Sequence, residues 1–317
     1  MVYSKVYSID MMIGLRPPIA FKLIIFDLDG VLVSERSSWQ KVHETLGCNN
    51  ELNFKKYMAG EIDFKEFMRS DISLWENVSI EEVHEILNTI TLAEGAVETI
   101  QALRAKGIKT VIVSSGISLL ANRIGRELGI DFVYSNKLFA DSNGQIRYSE
   151  DVTVPPLGKL ALTTKILEQE KILPSECAVV GDSLSDLPPY GSVGLSIGFN
   201  CHDDQSESRA DVLLQGPDLR ALLPWLISGY PSKISIRLPL DPKTANSLVA
   251  SLLPDNVRVP QGLGIRVFVD EGNVFVRIVS VKGLQTLLAT VDDVLSCSQM
   301  AIGLIAVAES YQLAKTI

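Results

Sequence analysis

Two aspartates one residue apart, Asp27 and Asp29, follow the short apolar run Lys22–Phe26, and Gly30 frees the backbone to turn directly after them. Carboxylates this close repel each other, and a divalent cation relieves the repulsion. One carboxylate can then attack phosphorus while the other delivers and removes a proton. A second cluster, Ser114-Ser115-Gly116, offers a hydroxyl and adjacent backbone N–H groups to phosphoryl oxygens. Lys159 opens a helical segment after Pro155-Pro156-Leu157-Gly158 and supplies a cation for phosphoryl charge. Gly181-Asp182-Ser183-Leu184-Ser185-Asp186 adds two more carboxylates, suited to an oxygen-rich magnesium site. Alone, each signal is bland: an Asp-x-Asp is often a loop cap, Ser-Ser-Gly a turn, a single lysine a solvated charge. Their order along the chain carries the meaning.

These clusters need a frame. Lys22–Phe26, Lys109–Val113 and Cys177–Val180 are short, apolar and flanked by helical patterns, as strands buried on both faces of a parallel sheet are. Ligands of such sheets bind outside the carboxyl ends of the strands, where all three clusters fall. Thr91-x-x-Glu94 predicts the start of a helix that Gly107 closes, and Ser79-x-x-Glu82 the start of another. Ser38–Leu46, Phe64–Trp75 and Ile80–Ile90 carry apolar residues at three- and four-residue spacing, so residues 37–90 are expected to form a helical cap over the site. Trp39, Phe54, Phe64, Phe67 and Trp75 are assigned to the cap's own core. The expected fold class is α/β: a Rossmann-like parallel sheet with a helical cap inserted after the first strand.

The motifs resemble those of the haloacid dehalogenase superfamily, and within it the phosphoserine phosphatases, over about residues 20–228. DLDGVLV at 27–33 is similar to the first motif, SSG at 114–116 to the second, Lys159 to the third and GDSLSD at 181–186 to the fourth. The 23-residue spacing from Lys159 to Asp182 and the position of the helical insertion are also similar. The resemblance implies a phosphomonoesterase that acts on a small phosphorylated metabolite with Mg2+ as cofactor. Asp27 would be the nucleophile and form an aspartyl-phosphate. Asp29 would act as acid and base and lend its backbone carbonyl to the metal. Ser114, Ser115, Gly116 and Lys159 would hold the phosphoryl group. Asp182 would ligate Mg2+, and Asp186 would orient the site from behind. The substrate contacts depart from the family. Its glutamate nine positions after the nucleophile is Arg36 here, with Glu35 adjacent; its cap arginine has Arg69 as the nearest candidate, about two residues out of register; its asparagine before the last aspartate is Ser185. Two other readings stand beside this one: a vestigial phosphatase acting as an assembly factor, and a sugar phosphomutase, whose first motif DLDGV also resembles.

Pro217–Pro231 closes this domain with a helix at Leu219–Ile227 and a Ser-Gly-Tyr-Pro-Ser linker. A different pattern follows. Ile234, Ile236 and Leu238 alternate with polar residues as in a strand, and Pro242–Leu253 is helix-like. Ile265–Val269 and Val274–Ile278 flank Asp270-Glu271-Gly272-Asn273 as a hairpin, and a long helical pattern runs from Val281 to about Leu313. This β-α-β-β-α order predicts a C-terminal α+β domain over 231–317. KISIRLPL at 233–240, SLLPDN at 251–256 and GIRVFVDEGNVFVRI at 264–278 resemble the small dimerising subunit of the KEOPS tRNA-modification complex. The resemblance implies homodimerisation and a KEOPS-type protein partner. The apolar side of the last helix exceeds what a thin sheet covers, which points the same way.

The chain has 317 residues, 46% of them apolar, and a formal net charge of −9. From Pro231 onward it holds eight Lys/Arg and seven Asp/Glu, leaving 21 and 31 of the totals of 29 and 38, so the acidic excess lies before that point. Neither part has the basic balance of a nucleic-acid binder. Cys48, Cys177, Cys201 and Cys297 form no CxxC pair and read as thiols of a reducing compartment. Residues 1–20 lack a continuous apolar core and read as an extension rather than a signal peptide, with Met11 and Met12 as alternative starts. Ser298–Ala308 is short of the ~20 residues of a membrane span. The expected location is the cytoplasm.

Overall fold

The structure is a computed structural model that describes residues 21–75, 77–148, 154–227, 231–256 and 259–316. The expected N-terminal extension and most of the linker, 1–20 and 228–230, lie outside the described residues. The rest divides into two compact units, one over Phe21–Leu223 and the other from Pro224 onward.

In chain order the first unit runs β1 (Leu23–Phe26), α1 (Ser38–Leu46), α2 (Glu51–Met58), α3 (Phe64–Ser73), α4 (Ile80–Asn88), α5 (Ala96–Ala105), β2 (Lys109–Ile117), α6 (Ser118–Leu128), β3 (Phe132–Asn136), β4 (Phe139–Ala140), β5 (Ile146–Arg147), α7 (Lys159–Glu170), β6 (Cys177–Gly181), β7 (Leu195–Phe199), α8 (Asp204–Arg209) and β8 (Val212–Leu214). α9 (Leu223–Ile227) follows. Six strands form one parallel sheet in the order β3-β2-β1-β6-β7-β8. All four residues of β1 are buried, because a central strand covered on both faces has no solvent side. Alternation sorts its side chains. Leu23 and Ile25 join Val111, Val113, Cys177 and Val179 in a core shared with Ile166 and Leu167 of α7. Leu23 stands opposite Lys109 and Cys177 in register, so β1, β2 and β6 start side by side, and Phe26 at the end of β1 lies between Ile112 and Val180.

Among the described residues the expected cap, residues 37–90, holds four helices, α1 to α4, rather than the three expected from the sequence. α2 escaped because it buries none of its residues and so carries no core-facing stripe. A two-stranded ribbon, β4-β5, joins them: the Ile80 N–H donates to the Gly144 carbonyl and the Ile146 N–H to that of Val78. Ser79 caps α4 as expected, accepting from the Glu82 N–H at 3.1 Å. The expected cap at Thr91 does not form. The Ala93 N–H donates to the Leu32 carbonyl and the Leu219 N–H to that of Glu94, so residues 91–94 pair as extended backbone and α5 starts at Ala96.

The second unit comprises β9 (Ser232–Leu238), α10 (Pro242–Asn256), β10 (Leu263–Asp270), β11 (Asn273–Ser280) and α11 (Leu284–Thr316), with an antiparallel sheet in the order β10-β11-β9. Ile234, Ile236 and Leu238 of β9, Leu248 and Leu252 of α10, and Leu287 and Val294 of α11 share its core. The segment Leu284–Ala308 of α11 is long and apolar enough to cross a membrane by length and composition, longer than the Ser298–Ala308 run read from the sequence. Leu287 and Val294 face the unit's own sheet, whereas Met300, Leu304 and Val307 are more than 60% exposed.

Candidate active site

Asp27 follows β1, and its N–H donates to the Val180 carbonyl of β6 at 2.9 Å, which anchors the first motif to the neighbouring strand. The chain turns at Gly30, where φ is +75°; a Cβ there would lie 2.3 Å from Asp182 Oδ2. Only glycine lets these two loops approach so closely. Gly116 plays the same part across the site, since its Cβ would crowd Ser38 Oγ, Asp29 Oδ2 and Ser114 Oγ.

Lys159, the first residue of α7, is buried and donates to Asp27 Oδ1 at 2.8 Å and to Asp186 Oδ1. Asp186 also accepts from the N–H and hydroxyl of Ser183, so its place is fixed from two directions. Carboxylate oxygens of Asp27, Asp182 and Asp186 lie within 4.8 Å of one another, an oxygen-donor set of the kind magnesium takes. Burial, then repulsion from Asp186, pushes the Asp27 carboxyl up to about 7 against the pull of Lys159. Burial, then the charges of Asp27 and Asp186, pushes Asp182 up to about 8. A cation among these carboxylates cancels their mutual repulsion and offsets the cost of burying their charge, so the residues present fit Mg2+. Burial disfavours the charge on Lys159, but Asp186 and Asp27 outweigh it and hold the ammonium above its usual range.

Asp29 points elsewhere. Its Oδ2 accepts from the Ser38 N–H at 2.9 Å and the Ser38 hydroxyl at 2.8 Å, while Oδ1 is buried without a hydrogen-bond partner. Burial raises its carboxyl above the ordinary range despite those bonds. Burial thus favours its protonated form, and one oxygen is without a hydrogen-bond partner. Its side chain is outside the group formed by Asp27, Asp182 and Asp186.

Ser114 ends its run with Oγ accepting from the Gly116 N–H at 2.9 Å. The Ser115 carbonyl accepts from Trp39 Nε1 at 3.1 Å and Asn136 Nδ2 at 3.0 Å. Asn136, at the end of β3, also bonds both the carbonyl and the N–H of Val154, and so ties the second motif to the chain leading into Lys159. Ser38 and Asn136 position the site, yet neither stands out in the sequence. A serine after Ser37 reads as part of a helix start, and a lone asparagine at a strand end reads as a turn.

Asp27, Asp29, Ser114, Ser115, Gly116, Lys159, Asp182 and Ser183 all line one cavity of about 710 Å³. The specificity candidates do not gather there. Arg69 lies over the Tyr148 ring at 5.0 Å, and Ser185 Oγ is 2.9 Å from Ser183 Oγ; neither lines the cavity, nor does Glu35. Arg36 does. The aromatic assignment needs correction: Trp39, Phe54, Phe64 and Phe67 line the cavity, and of the five only Trp75 is wholly buried. Their helices enclose the site, so the inner face of the cap is the cavity wall. All four cysteines are unpaired, and burial pushes the Cys177 and Cys201 thiols up to about 12, which leaves them unreactive.

A doubly wound sheet whose central strands end at buried carboxylates, bridged by a lysine from the start of α7, fits a phosphomonoester hydrolase. The chain belongs to the haloacid dehalogenase-like hydrolases, whose family model matches residues 21–194. It is similar to the phosphoserine phosphatase of Methanocaldococcus jannaschii, with 30% identity over 207 residues, which are 65% of this chain and 97% of that protein. A solved phospho-aspartyl intermediate analogue of phosphoserine phosphatase matches with a TM-score of 0.57 at 28% identity, over 65% of this chain and 99% of that one. A substrate-bound phosphoserine phosphatase complex matches with a TM-score of 0.56 at 28% identity, over 65% and 98%.

Proposed function

We propose that the chain hydrolyses the phosphate ester of a small metabolite through an aspartyl-phosphate on Asp27, with Mg2+ as cofactor and phosphoserine as the first substrate to test. The observation that carries this reading is the buried bridge from Lys159 to Asp27 and Asp186, beside Asp182, in the wall of the cavity. Asp27, Asp182 and the Asp29 carbonyl would hold the ion, which when bound neutralises phosphoryl charge. A carboxylate oxygen of Asp27 attacks phosphorus, and the bond to the leaving alcohol breaks as the new P–O bond forms. Asp29 gives its proton to the departing oxygen from Oδ1, the oxygen that Ser38 leaves unpartnered. It then takes a proton from water, which attacks phosphorus and releases Asp27. Ser114 Oγ and the Lys159 ammonium hold the remaining phosphoryl oxygens throughout.

In this reading residues 21–228 are the catalytic domain, and 231–317 serve homodimerisation or a KEOPS-type partner in the cytoplasm. Met300, Leu304 and Val307, spaced along one exposed side of α11, support that role. The test is Mg2+-dependent phosphate release from a panel of phosphorylated metabolites, with Asp27→Asn as control. Release from at least one compound that the substitution abolishes is the expected result. None from any compound by folded, magnesium-loaded protein would overturn the proposal.

A further inference from the structure

A pair of stacked indoles adjoins the phosphoryl subsite and has no part in the chemistry above. Trp39 lines the cavity, and its Nε1 donates to the Ser115 carbonyl at 3.1 Å, which holds the ring against the second motif. The preceding residue, Ser38, bonds Asp29 through both its N–H and its hydroxyl. Trp39 is thereby tied to the groups on either side of the ester bond. Trp75, wholly buried, stacks on it with ring centroids 5.3 Å apart and 21° between the planes. Trp75 is held in turn, since its Nε1 donates to His43 Nδ1 at 3.0 Å, and His43 Nε2 lies 3.2 Å from Asp71 Oδ2. Both indole N–H groups are engaged, so neither ring turns without breaking a hydrogen bond. One face of the half-buried Trp39 is covered by Trp75, and the face left for the cavity is the other. A fixed ring of this kind accepts a further planar ring in an offset stack.

The cavity wall continues in the same chemistry. Phe54, Tyr57, Phe64 and Phe67 also line it. Tyr57 stacks on Phe67 at 5.0 Å and 13°, and Phe54 and Phe64 lie 6.2 and 6.3 Å from Phe67. A cluster that served only as a core would be closed to solvent, yet Phe54 is 49% exposed and α2 buries none of its residues. Apolar surface left in water in this way is free energy available to a ligand that covers it. The cavity, about 710 Å³, is in the range that takes drug-sized ligands and has more room than phosphoserine fills. An ester held at Asp27 with its leaving oxygen at Asp29 has its alcohol portion beside Trp39.

We propose that Trp39 is a specificity-determining residue whose cavity-side face stacks on a planar aromatic ring in the alcohol portion of the phosphomonoester. This rests on the phosphomonoesterase reading and names the substrate class within it: phosphate esters of alcohols that carry an aromatic ring close to the ester oxygen, over aliphatic ones. Trp39 takes no part in bond making; the stack places the leaving group so that its ester oxygen meets Asp29.

The test uses the full chain at saturating Mg2+ and compares esters of similar size and leaving-group acidity, benzyl phosphate and cyclohexylmethyl phosphate, with phosphoserine as the small polar reference. Wild-type protein is expected to favour benzyl phosphate over its saturated counterpart by about threefold to tenfold in kcat/KM, as an offset ring pair supplies, and to prefer it to phosphoserine. Trp39→Leu, with its fold checked by circular dichroism and thermal melting, should bring the ratio of benzyl to cyclohexylmethyl ester near one, chiefly through a higher KM for the benzyl ester. Trp39→Phe, which keeps a ring and loses Nε1, should retain part of the ratio; Trp39→Met repeats the measurement if the Leu variant does not fold. Phosphate release by wild type with a ratio near one overturns the proposal, as does a kcat/KM for phosphoserine above that for benzyl phosphate. A folded, active Leu or Met variant that keeps the ratio overturns it too. No release from any ester would instead count against the phosphomonoesterase mechanism itself.

Discussion

Replacing Lys159 with methionine keeps the length of the side chain and removes its charge. In the native site the ammonium lies 2.8 Å from Asp27 Oδ1 and also bonds Asp186, with lysine and aspartate side chains at most 7% exposed. At an effective dielectric of about 20, a pair at that separation attracts by about 6 kcal/mol before desolvation is counted. Burying the ammonium costs part of this, so removing one partner of such a buried pair costs about 3–5 kcal/mol. Bound Mg2+ offsets some of that loss of stability by mass action, so melting should be followed with and without the ion. Catalysis has no such compensation. Losing a preorganised charge at the phosphoryl group lowers kcat by about 10²–10³-fold. The assay is steady-state phosphate release at saturating Mg2+, alongside thermal melts. A folded Lys159→Met protein whose kcat stays within about tenfold of wild type would refute this account of the site.

Other consequences follow from the same geometry. Asp27 rises from an ordinary 3.8 to about 7 and Asp182 to about 8 in the metal-free fold. The folded protein therefore keeps protons that the unfolded chain releases above about pH 4, and metal-free stability falls as pH rises from about 4 to 8. Mg2+ must displace those protons, so the rise in Tm that it produces should be larger at pH 8 than at pH 5; equal shifts would be contrary evidence. Ser38→Ala deletes one of the two Ser38 bonds to Asp29 Oδ2, and should lower kcat by about tenfold and Tm by several degrees, a hydrogen bond to a charged group being worth about 1.5–3 kcal/mol. Leu304→Glu puts a charge on the exposed side of α11 and should shift sedimentation from dimer to monomer while phosphate release persists; a monomeric wild type would dismiss the dimer.

The reaction class was legible because covalent chemistry leaves local marks. Asp27, Asp29, Lys159 and Asp182 had to be those residue types, and strand ends are readable from short apolar runs, so their convergence followed from the parallel sheet. Positioning residues leave no such mark. Ser38 looks like any helix start until its hydroxyl is seen on Asp29, and Asn136 like any loop asparagine until it bonds Ser115 and Val154. Thr91 misled because the capping pattern is local, whereas pairing of residues 91–94 with Leu32 and Leu219 is not.

What the sequence by itself determined is the reaction class and the residues that mark it, Asp27, Asp29, Lys159 and Asp182, which the parallel sheet brings to one cavity. What tertiary structure alone decided is which side chains line the rest of the cavity. Arg69 was the nearest candidate, about two residues out of register, but it lies over Tyr148 and does not line the cavity, while Asp71, two residues on, lines it beside His43. Residues two apart on a helix point in different directions, about 200° around the axis, so a small uncertainty in alignment exchanges a wall residue for an outer one. The cap's aromatic residues could be counted in the sequence, but which of their faces closed on one another and which on the cavity depended on how four helices pack.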